Sequence, residues 1–127
     1  AIGQPDVHSG ELPCVYVELV ADGEVTPDEL KAFCEEHVQE RAAHPKYVEI
    51  LDELPKTAVG KVFKPDLRKR AITRTFNAAL SDAGLQASVV EVRDDKQLGL
   101  IARVASEASD GEITAVLGGF ANTWSRA

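Results

Sequence analysis

A helix start near residue 26 is the sequence feature that most constrains how this chain can fold. Thr26 offers a side-chain oxygen, Pro27 follows it directly, and Glu29 stands three residues after the threonine. A threonine before a helix accepts a hydrogen bond from a backbone N–H of the first turn, and a glutamate three residues later completes the capping box. Proline suits the first helical position, where no hydrogen bond is needed. The run 26–29 therefore predicts the start of a helix.

The predicted helix has an apolar face and an end imposed by proline. The residues on that face are Leu30, Phe33, Cys34, His37 and Val38, which recur at helical spacing. The residue before a proline avoids helical backbone angles, and His44 precedes Pro45. We therefore expect the helix to end near Ala42.

Strand patterns lie on both sides of this helix. Residues 13–20 alternate Val15, Val17 and Leu19 with Cys14, Tyr16 and Glu18, and Tyr47–Leu51 is a second β-prone run. A further helix is predicted from Pro65-Asp66 to about Leu80, with Gly84 as a terminating residue. These elements predict an α+β fold in which a small mixed sheet is flanked by helices.

The last third of the chain has a pattern of its own. Residues 87–93 and 98–105 are strand-like and are joined across residues 94–97, which predicts a β-hairpin. Ser109 and Glu112 form a capping-box match at the start of a final helix. Its apolar stripe consists of Ile113, Val116, Leu117, Phe120 and Trp124. Residues 81–127 are therefore interpreted as an appended β-hairpin and C-terminal helix, separate from residues 1–80.

Charge and cysteine content narrow the possible functions. The chain has 14 Lys and Arg against 21 Asp and Glu, so its net charge of -7 argues against nucleic-acid partners held through many phosphates. No apolar run approaches the roughly 20 residues of a transmembrane segment. Cys14 and Cys34 lack the spacing of a zinc site, so we expect no bound metal and two reduced core cysteines. Reduced cysteines indicate a cytoplasmic protein.

The loop of residues 55–61 is the strongest candidate for chemistry. It ends in Gly60-Lys61, and a lysine after a glycine can present a point charge on a long stem to a phosphate or carboxylate. A phosphate-binding P-loop would need glycine in place of Pro55 and serine or threonine in place of Val62. The sequence therefore favours a single presented cation, Lys61, over a backbone cradle for phosphate.

The residues around this lysine resemble a known family. The run P-K-T-x-x-G-K-V-x-K-x-x-L-R, which spans residues 55–68, follows the strand 47–51 and the phrase Asp52-Glu53-Leu54-Pro55. Together they resemble the C-terminal domain of the adenylate-forming, or AMP-binding, enzymes, and most of all the acyl-CoA synthetases (fatty-acid-CoA ligases). Residues 2–19 are similar to the opening strands of that domain. Residues 81–127 resemble an extension carried by some acyl-CoA synthetases.

The resemblance implies an activity for the whole enzyme. Such enzymes use ATP, with Mg²⁺, to convert a carboxylic acid, here a fatty acid, into an acyl-adenylate, and then pass the acyl group to CoA. By motif position Lys61 would be the catalytic lysine that bridges the substrate carboxylate and the nucleotide. Gly60 would lie with it at the cofactor site, and Thr57 and Lys64 are further candidates there. Lys56 and Arg68 could also face phosphates, although solvated charges are the simpler interpretation.

The resemblance also implies partners. The N-terminal AMP-binding domain of the same protein would hold the nucleotide and the acid, and the C-terminal domain would rotate as a lid between the two half-reactions. The chain is expected to begin just after the hinge, so the fragment alone is expected to be inactive and to bind neither ATP nor CoA. In related synthetases this lysine is reversibly acylated, which implies an acetyltransferase and a deacetylase that act on Lys61.

Two alternative functions stay open from the sequence. One keeps the adenylation chemistry but loads a carrier protein in place of CoA. The other is a non-catalytic interaction module that has kept the fold and uses the C-terminal apolar stripe as a partner surface.

Overall fold

The computed structural model describes residues 1–20 and 23–127. These residues form an α+β fold with two small mixed sheets of three strands and three α-helices, which confirms the predicted fold class. The elements are β1 (Ile2–Asp6), β2 (Gly10–Glu18), α1 (Pro27–His37), β3 (Tyr47–Leu51), α2 (Lys64–Asp82), β4 (Ala87–Asp95), β5 (Gly99–Ser106), α3 (Asp110–Leu117) and β6 (Thr123–Arg126). A short 3-10 turn covers Arg41–Ala43.

The chain divides into two compact units. The first comprises residues 1–4 and 12–68, and the second comprises residues 5–11 and 69–127. This division falls within α2. The assignment of residues 1–80 and 81–127 to two domains stays a prediction.

The first unit is built on the sheet with strand order β1-β2-β3. Strands β2 and β3 run parallel, in register from Cys14 opposite Tyr47 to Glu18 opposite Leu51. Parallel neighbours need a crossover connection, and the segment that contains α1 provides it. The buried apolar side chains of this unit include Ile2, Cys14, Tyr16, Val48 and Leu67. On the opposite face of the central strand β2 from Cys14 and Tyr16, the side chains of Val15 and Val17 are half-buried. Both faces of β2 are therefore at least partly covered.

Helix α1 begins where the sequence predicts. The Thr26 side chain accepts a hydrogen bond from the Glu29 N–H at 3.1 Å, and Pro27 is the first helical residue. The predicted end near Ala42 is wrong, because the helix ends at His37. Val38 turns to extended backbone, and its carbonyl lies 2.6 Å from Nε2 of His44. The His44 imidazole thus lies within hydrogen-bond distance of the first carbonyl beyond the helix end.

The apolar face of α1 is less covered than its pattern indicates. Within α1 no residue is fully buried, and Phe33 is 57% exposed and stacks on the His37 ring with 4.0 Å between the ring centroids. Both cysteines are free, as expected, but only Cys14 is buried. Cys34 is half-buried, which corrects its assignment to the core.

The second unit has a core formed by α2, α3 and the sheet β4-β5-β6. Strands β4 and β5 form the predicted antiparallel hairpin, with an irregularity between Val89 and Glu91. The buried residues of this core are Ile72, Phe76, Leu80, Val89, Val92, Ala102, Val104, Ile113 and Leu117. Phe120 packs against Phe76 with 4.9 Å between their ring centroids. The amphipathic α2 therefore supplies the largest side chains of this core.

The C-terminal helix is shorter than its apolar stripe predicts. The capping box is present, because the Ser109 hydroxyl accepts from the Glu112 N–H at 3.2 Å and the Glu112 carboxylate accepts from the Ser109 N–H at 3.3 Å. The helix ends at Leu117, before two glycines, which are poor helix formers. Placing Phe120 and Trp124 on this helix was therefore wrong.

The residues after α3 form strand β6, which pairs parallel with β5. Arg126 fixes this strand: its guanidinium donates to the Asp110 carboxylate at 2.6 and 2.9 Å. It also donates to the carbonyl oxygens of Ser106 and Ala108, each at 2.7 Å. One arginine thereby ties the last strand to the segment that enters α3.

The described residues contain neither a membrane-spanning helix nor a metal-binding cluster. None of the helices described has the length and apolar character needed to cross a bilayer. No cluster of three or more His, Cys, Asp or Glu side chains able to hold a metal ion was found in the same part of the chain.

Phe76→Ala should lower the free energy of unfolding of the second unit by about 3–5 kcal/mol, because truncating a buried phenylalanine loses apolar contact and leaves a cavity. Phe76 is 0% exposed, whereas Leu98 of the same unit is 61% exposed, so Leu98→Ala is the control, with an expected change of about 0.5 kcal/mol. Urea denaturation followed by fluorescence of Trp124, the single tryptophan of the chain, measures both values. Equal effects of the two substitutions would contradict the packing described.

Candidate active site

The loop that carries Lys61 is a small closed hairpin, which we call the lysine hairpin (residues 55–63). Lys56 and Val62 form an antiparallel bridge. The Phe63 N–H donates to the Pro55 carbonyl at 2.7 Å, and the Thr57 N–H donates to the Lys61 carbonyl at 2.7 Å. The two arms are therefore tied together by backbone hydrogen bonds on either side of the bridge.

The tip of the lysine hairpin depends on glycine. The Gly60 N–H donates to the Thr57 carbonyl at 2.9 Å, which closes a turn over Ala58 and Val59. Gly60 itself has φ of 85°, and a turn followed by a left-handed glycine is a common three-residue hairpin loop. A Cβ atom at Gly60 would meet nothing within 4 Å. The glycine is therefore required for its backbone angle rather than for close packing.

Within this hairpin the backbone of Lys61 is held by hydrogen bonds and its side chain is exposed. Its N–H donates to the Thr57 hydroxyl at 3.2 Å, and its carbonyl accepts from the Thr57 N–H. Within residues 1–20 and 23–127 its ammonium has no ion-pair or hydrogen-bond partner. The arrangement presents one cation to solvent from a defined position.

The other candidate residues have different surroundings. Thr57 is half-buried and belongs to the framework of the lysine hairpin, where its hydroxyl accepts the Lys61 N–H. Lys64 is exposed and is the first residue of α2, and Arg68 is exposed one turn further along. Thr57, Gly60 and Lys61 thus lie together in one hairpin, while Lys64 follows it on the helix.

Sequence reasoning missed Glu18, which holds the base of the lysine hairpin. Its carboxylate Oε1 accepts the Leu54 N–H at 2.8 Å and a hydrogen bond from Nζ of Lys56 at 3.1 Å. The Leu54 N–H and then the Lys56 ammonium lower the pKa of Glu18 below its usual value, so the carboxylate is charged at neutral pH. The partners lie 36 and 38 residues away in sequence, and no local pattern indicates the pairing.

The first unit also contains two histidines, His37 and His44, and an open cleft. The cleft has a volume of about 500 Å³ and is lined by Glu35, Arg41, His44 and Lys46. None of these four residues belongs to the lysine hairpin. Nδ1 of His37 lies 2.9 Å from the Phe33 carbonyl, so this ring is engaged on its own helix.

Comparison with known proteins identifies the family of residues 1–61. Residues 1–61, which end at the candidate lysine, match the AMP-binding enzyme C-terminal domain. These residues belong to that family. The homologous proteins are acyl-CoA ligases and synthetases, which confirms the resemblance drawn from the sequence.

Three relatives illustrate the similarity. The marinolic acid–CoA ligase of Pseudoalteromonas sp. (strain SANK 73390) is 36% identical over 118 residues, which cover 91% of this chain and 18% of that protein. The long-chain-fatty-acid–CoA ligase of Salmonella typhimurium is 38% identical over 79 residues, 62% of this chain and 14% of that enzyme. The enzyme of the same name from Haemophilus influenzae is 39% identical over 74 residues, 58% of this chain and 13% of its own length.

The chain thus spans only 18% or less of each of these relatives. The match to the marinolic acid–CoA ligase covers 91% of the chain, so it includes most of residues 81–127. The match to the AMP-binding enzyme C-terminal domain ends well before that region, at residue 61. No solved structure matches the chain at a significant level.

Gly60→Ala should loosen the lysine hairpin, because a left-handed backbone angle costs a residue with a Cβ atom roughly 1–2 kcal/mol. We expect hydrogen exchange of the Thr57 amide, which is bonded to Lys61, to become about 5- to 30-fold faster. Gly60→Asn is the matched control, since asparagine tolerates this conformation and should have a smaller effect. NMR-detected exchange measures the amide. Equal acceleration by alanine and asparagine would show that the backbone angle is not the controlling factor.

Proposed function

We propose that this chain is the C-terminal catalytic lid of an acyl-CoA synthetase. Together with an N-terminal AMP-binding domain of the same protein, it would activate a carboxylic acid with ATP and pass the acyl group to CoA. The observation that carries the proposal is the exposed Lys61 ammonium, which has no partner within the described residues and stands at a hydrogen-bonded hairpin tip. The family match, which ends at this lysine, supports the same role.

The first half-reaction explains why a cation is needed. A carboxylate oxygen of the acid attacks the α-phosphorus of ATP, the bond to the bridging oxygen breaks, and pyrophosphate leaves with its electron pair. Two anions must approach each other in this step, so a positive charge between them lowers the barrier. In the proposal the Lys61 ammonium occupies that position and stays protonated, with Gly60 fixing its backbone. Mg²⁺ enters with ATP.

The second half-reaction does not need Lys61. The thiol of CoA gives its proton to solvent and attacks the acyl carbonyl, the mixed-anhydride bond between the acyl group and the phosphate breaks, and AMP leaves with its electron pair. In the proposal the lid rotates after adenylation and withdraws the lysine hairpin from the nucleotide. Thr57 and Lys64 remain candidates for contacts with nucleotide or CoA, although the Thr57 hydroxyl already accepts the Lys61 N–H.

The acid and the cellular location are further parts of the proposal. The names of the relatives specify marinolic acid and long-chain fatty acids, so we propose a long-chain carboxylic acid and a role in fatty acid metabolism. The free cysteines Cys14 and Cys34 support a cytoplasmic location. ATP–pyrophosphate exchange by the full-length protein over a panel of acids identifies the acid. An assay that offers CoA and a carrier protein side by side distinguishes the two acceptors.

Lys61→Ala in the full-length protein should reduce adenylation by about 100- to 1,000-fold, the cost of losing one electrostatic contact in a transition state. Thioester formation from preformed acyl-adenylate should stay within a few-fold of wild type, because that step does not use the lysine. ATP–pyrophosphate exchange measures the first step and thioester release the second. Lys96→Ala, which removes an exposed lysine from the β4–β5 turn, is the control for the change of charge. Adenylation by Lys61→Ala within about threefold of the wild-type rate would contradict the assignment of Lys61 as the adenylation lysine.

We also propose that acetylation of Lys61 switches adenylation off. An acetyltransferase would move the acetyl group of acetyl-CoA to the deprotonated Nζ, forming an amide and releasing the thiol of CoA. The amide carries no positive charge, so the acetylated enzyme should lose adenylation but keep thioester formation. A deacetylase should restore the activity. Mass spectrometry of the native enzyme across growth conditions tests the proposal, and a lysine that is never modified would contradict it.

A further inference from the structure

The backbone pairing of β2 with β3 ends before the lysine hairpin begins. The parallel ladder between β2 and β3 ends where Glu18 stands opposite Leu51. Asp52 and Glu53 follow and are exposed, and the lysine hairpin begins only at Pro55. The β2–β3 ladder therefore does not itself hold the base of the lysine hairpin.

The Glu18 side chain provides that support. One carboxylate oxygen accepts both the Leu54 N–H at 2.8 Å and the Lys56 ammonium at 3.1 Å, and the second oxygen lies 3.4 Å from the same ammonium. The two donors stand on either side of Pro55, which has no N–H of its own. A single carboxylate thus fastens three consecutive residues to the end of β2.

The contacts of Glu18 continue through the lysine hairpin to Lys61. Pro55 accepts the Phe63 N–H, and Lys56 is bridged to Val62. Thr57, the next residue, is bonded to both backbone groups of Lys61. The position of the Lys61 backbone relative to β2 is therefore defined by one side-chain carboxylate followed by hydrogen bonds within the hairpin.

Glu18 also separates the roles of the two lysines in the hairpin. Lys56 and Lys61 are its two basic residues. The Lys56 ammonium is paired with Glu18, whereas that of Lys61 has no partner within residues 1–20 and 23–127. An incoming anion would therefore be attracted to Lys61, and Lys56 is kept from competing for it.

From these contacts we propose that Glu18 is a positioning residue for adenylation, which holds the lysine hairpin so that Lys61 meets the reacting groups at the right distance. The inference rests on the proposed role of Lys61. Glu18 touches no reacting atom in this scheme, and it acts only through Leu54 and Lys56. A misplacement of about 1 Å can cost on the order of 100-fold in rate, so the effect of losing the anchor is measurable.

The test uses the full-length protein with Glu18→Ala. We expect kcat of adenylation to fall by roughly 10- to 100-fold while KM for ATP and for the acid stays within about twofold. Thioester formation from preformed acyl-adenylate should stay at the wild-type rate. Glu18→Gln keeps an acceptor for the Leu54 N–H and loses the charge that pairs with Lys56, so its loss should be intermediate. It also keeps the side-chain shape, in case Glu18→Ala folds poorly.

Two controls make the result specific. Glu53→Ala removes an exposed carboxylate from the same loop and should leave both half-reactions unchanged. Adding Glu18→Ala to Lys61→Ala should cause no further loss of adenylation, because an anchor has nothing left to position once the lysine is gone.

The outcomes separate this inference from the proposed function. Equal losses in both half-reactions, accompanied by a lower melting temperature, would reduce Glu18 to a structural role and overturn the proposal. Wild-type adenylation by both Glu18 variants would overturn it as well, while a strong effect of Lys61→Ala would leave the proposed function standing. If Lys61→Ala itself had no effect on adenylation, the proposed function would be wrong, and the role of Glu18 that rests on it would be overturned with it.

Discussion

The parallel pairing of β2 with β3 is the constraint on which the candidate site depends. The pairing runs from Cys14 opposite Tyr47 to Glu18 opposite Leu51. It therefore brings Leu54, which follows β3, within hydrogen-bond distance of the Glu18 carboxylate. Because parallel strands cannot be joined by a tight turn, the pairing requires the crossover through α1. The helix start at Thr26 is therefore linked to the placement of Lys61, although the two lie in different elements. A shift of one residue in the register would move Glu18 to the other face of the sheet and remove the anchor.

The sequence predicted those parts of the fold that depend on neighbouring residues. The caps at Thr26 and Ser109 were identified because each cap and its partner are three residues apart. The antiparallel hairpin of β4 and β5 follows from two strand-like runs with polar residues between them. The lysine loop was identified from its motif, and the closed hairpin explains the Gly60 of that motif through a backbone angle.

The parts that the sequence did not predict depend on distant contacts. Trp124 stands at helical spacing from Ile113 and Leu117, so periodicity alone placed it on the helix. The structure instead places it in β6, a strand held by the bonds of Arg126 to Asp110 and to two carbonyls. Helix α1 ends at His37, where Val38 has extended backbone and its carbonyl lies 2.6 Å from Nε2 of His44, six residues further along the chain. The pairing of Glu18 with Lys56 spans 38 residues, and only the three-dimensional structure brings these charges together.

The surroundings of Lys61 combine a fixed backbone with an ammonium that has no partner in the part of the chain that the structure describes. This combination suits the proposed function, in which the cation acts on groups held by another domain. A permanent ion pair at Lys61 would have to be broken each time the lysine met its substrate, and that cost would oppose the reaction. A flexible loop would have the opposite fault, since it would lose conformational entropy whenever the lysine was positioned. The lysine hairpin avoids both costs by using a second cation, Lys56, for the structural ion pair. In the proposed mechanism a rotating lid then delivers a charge that is already positioned and still available.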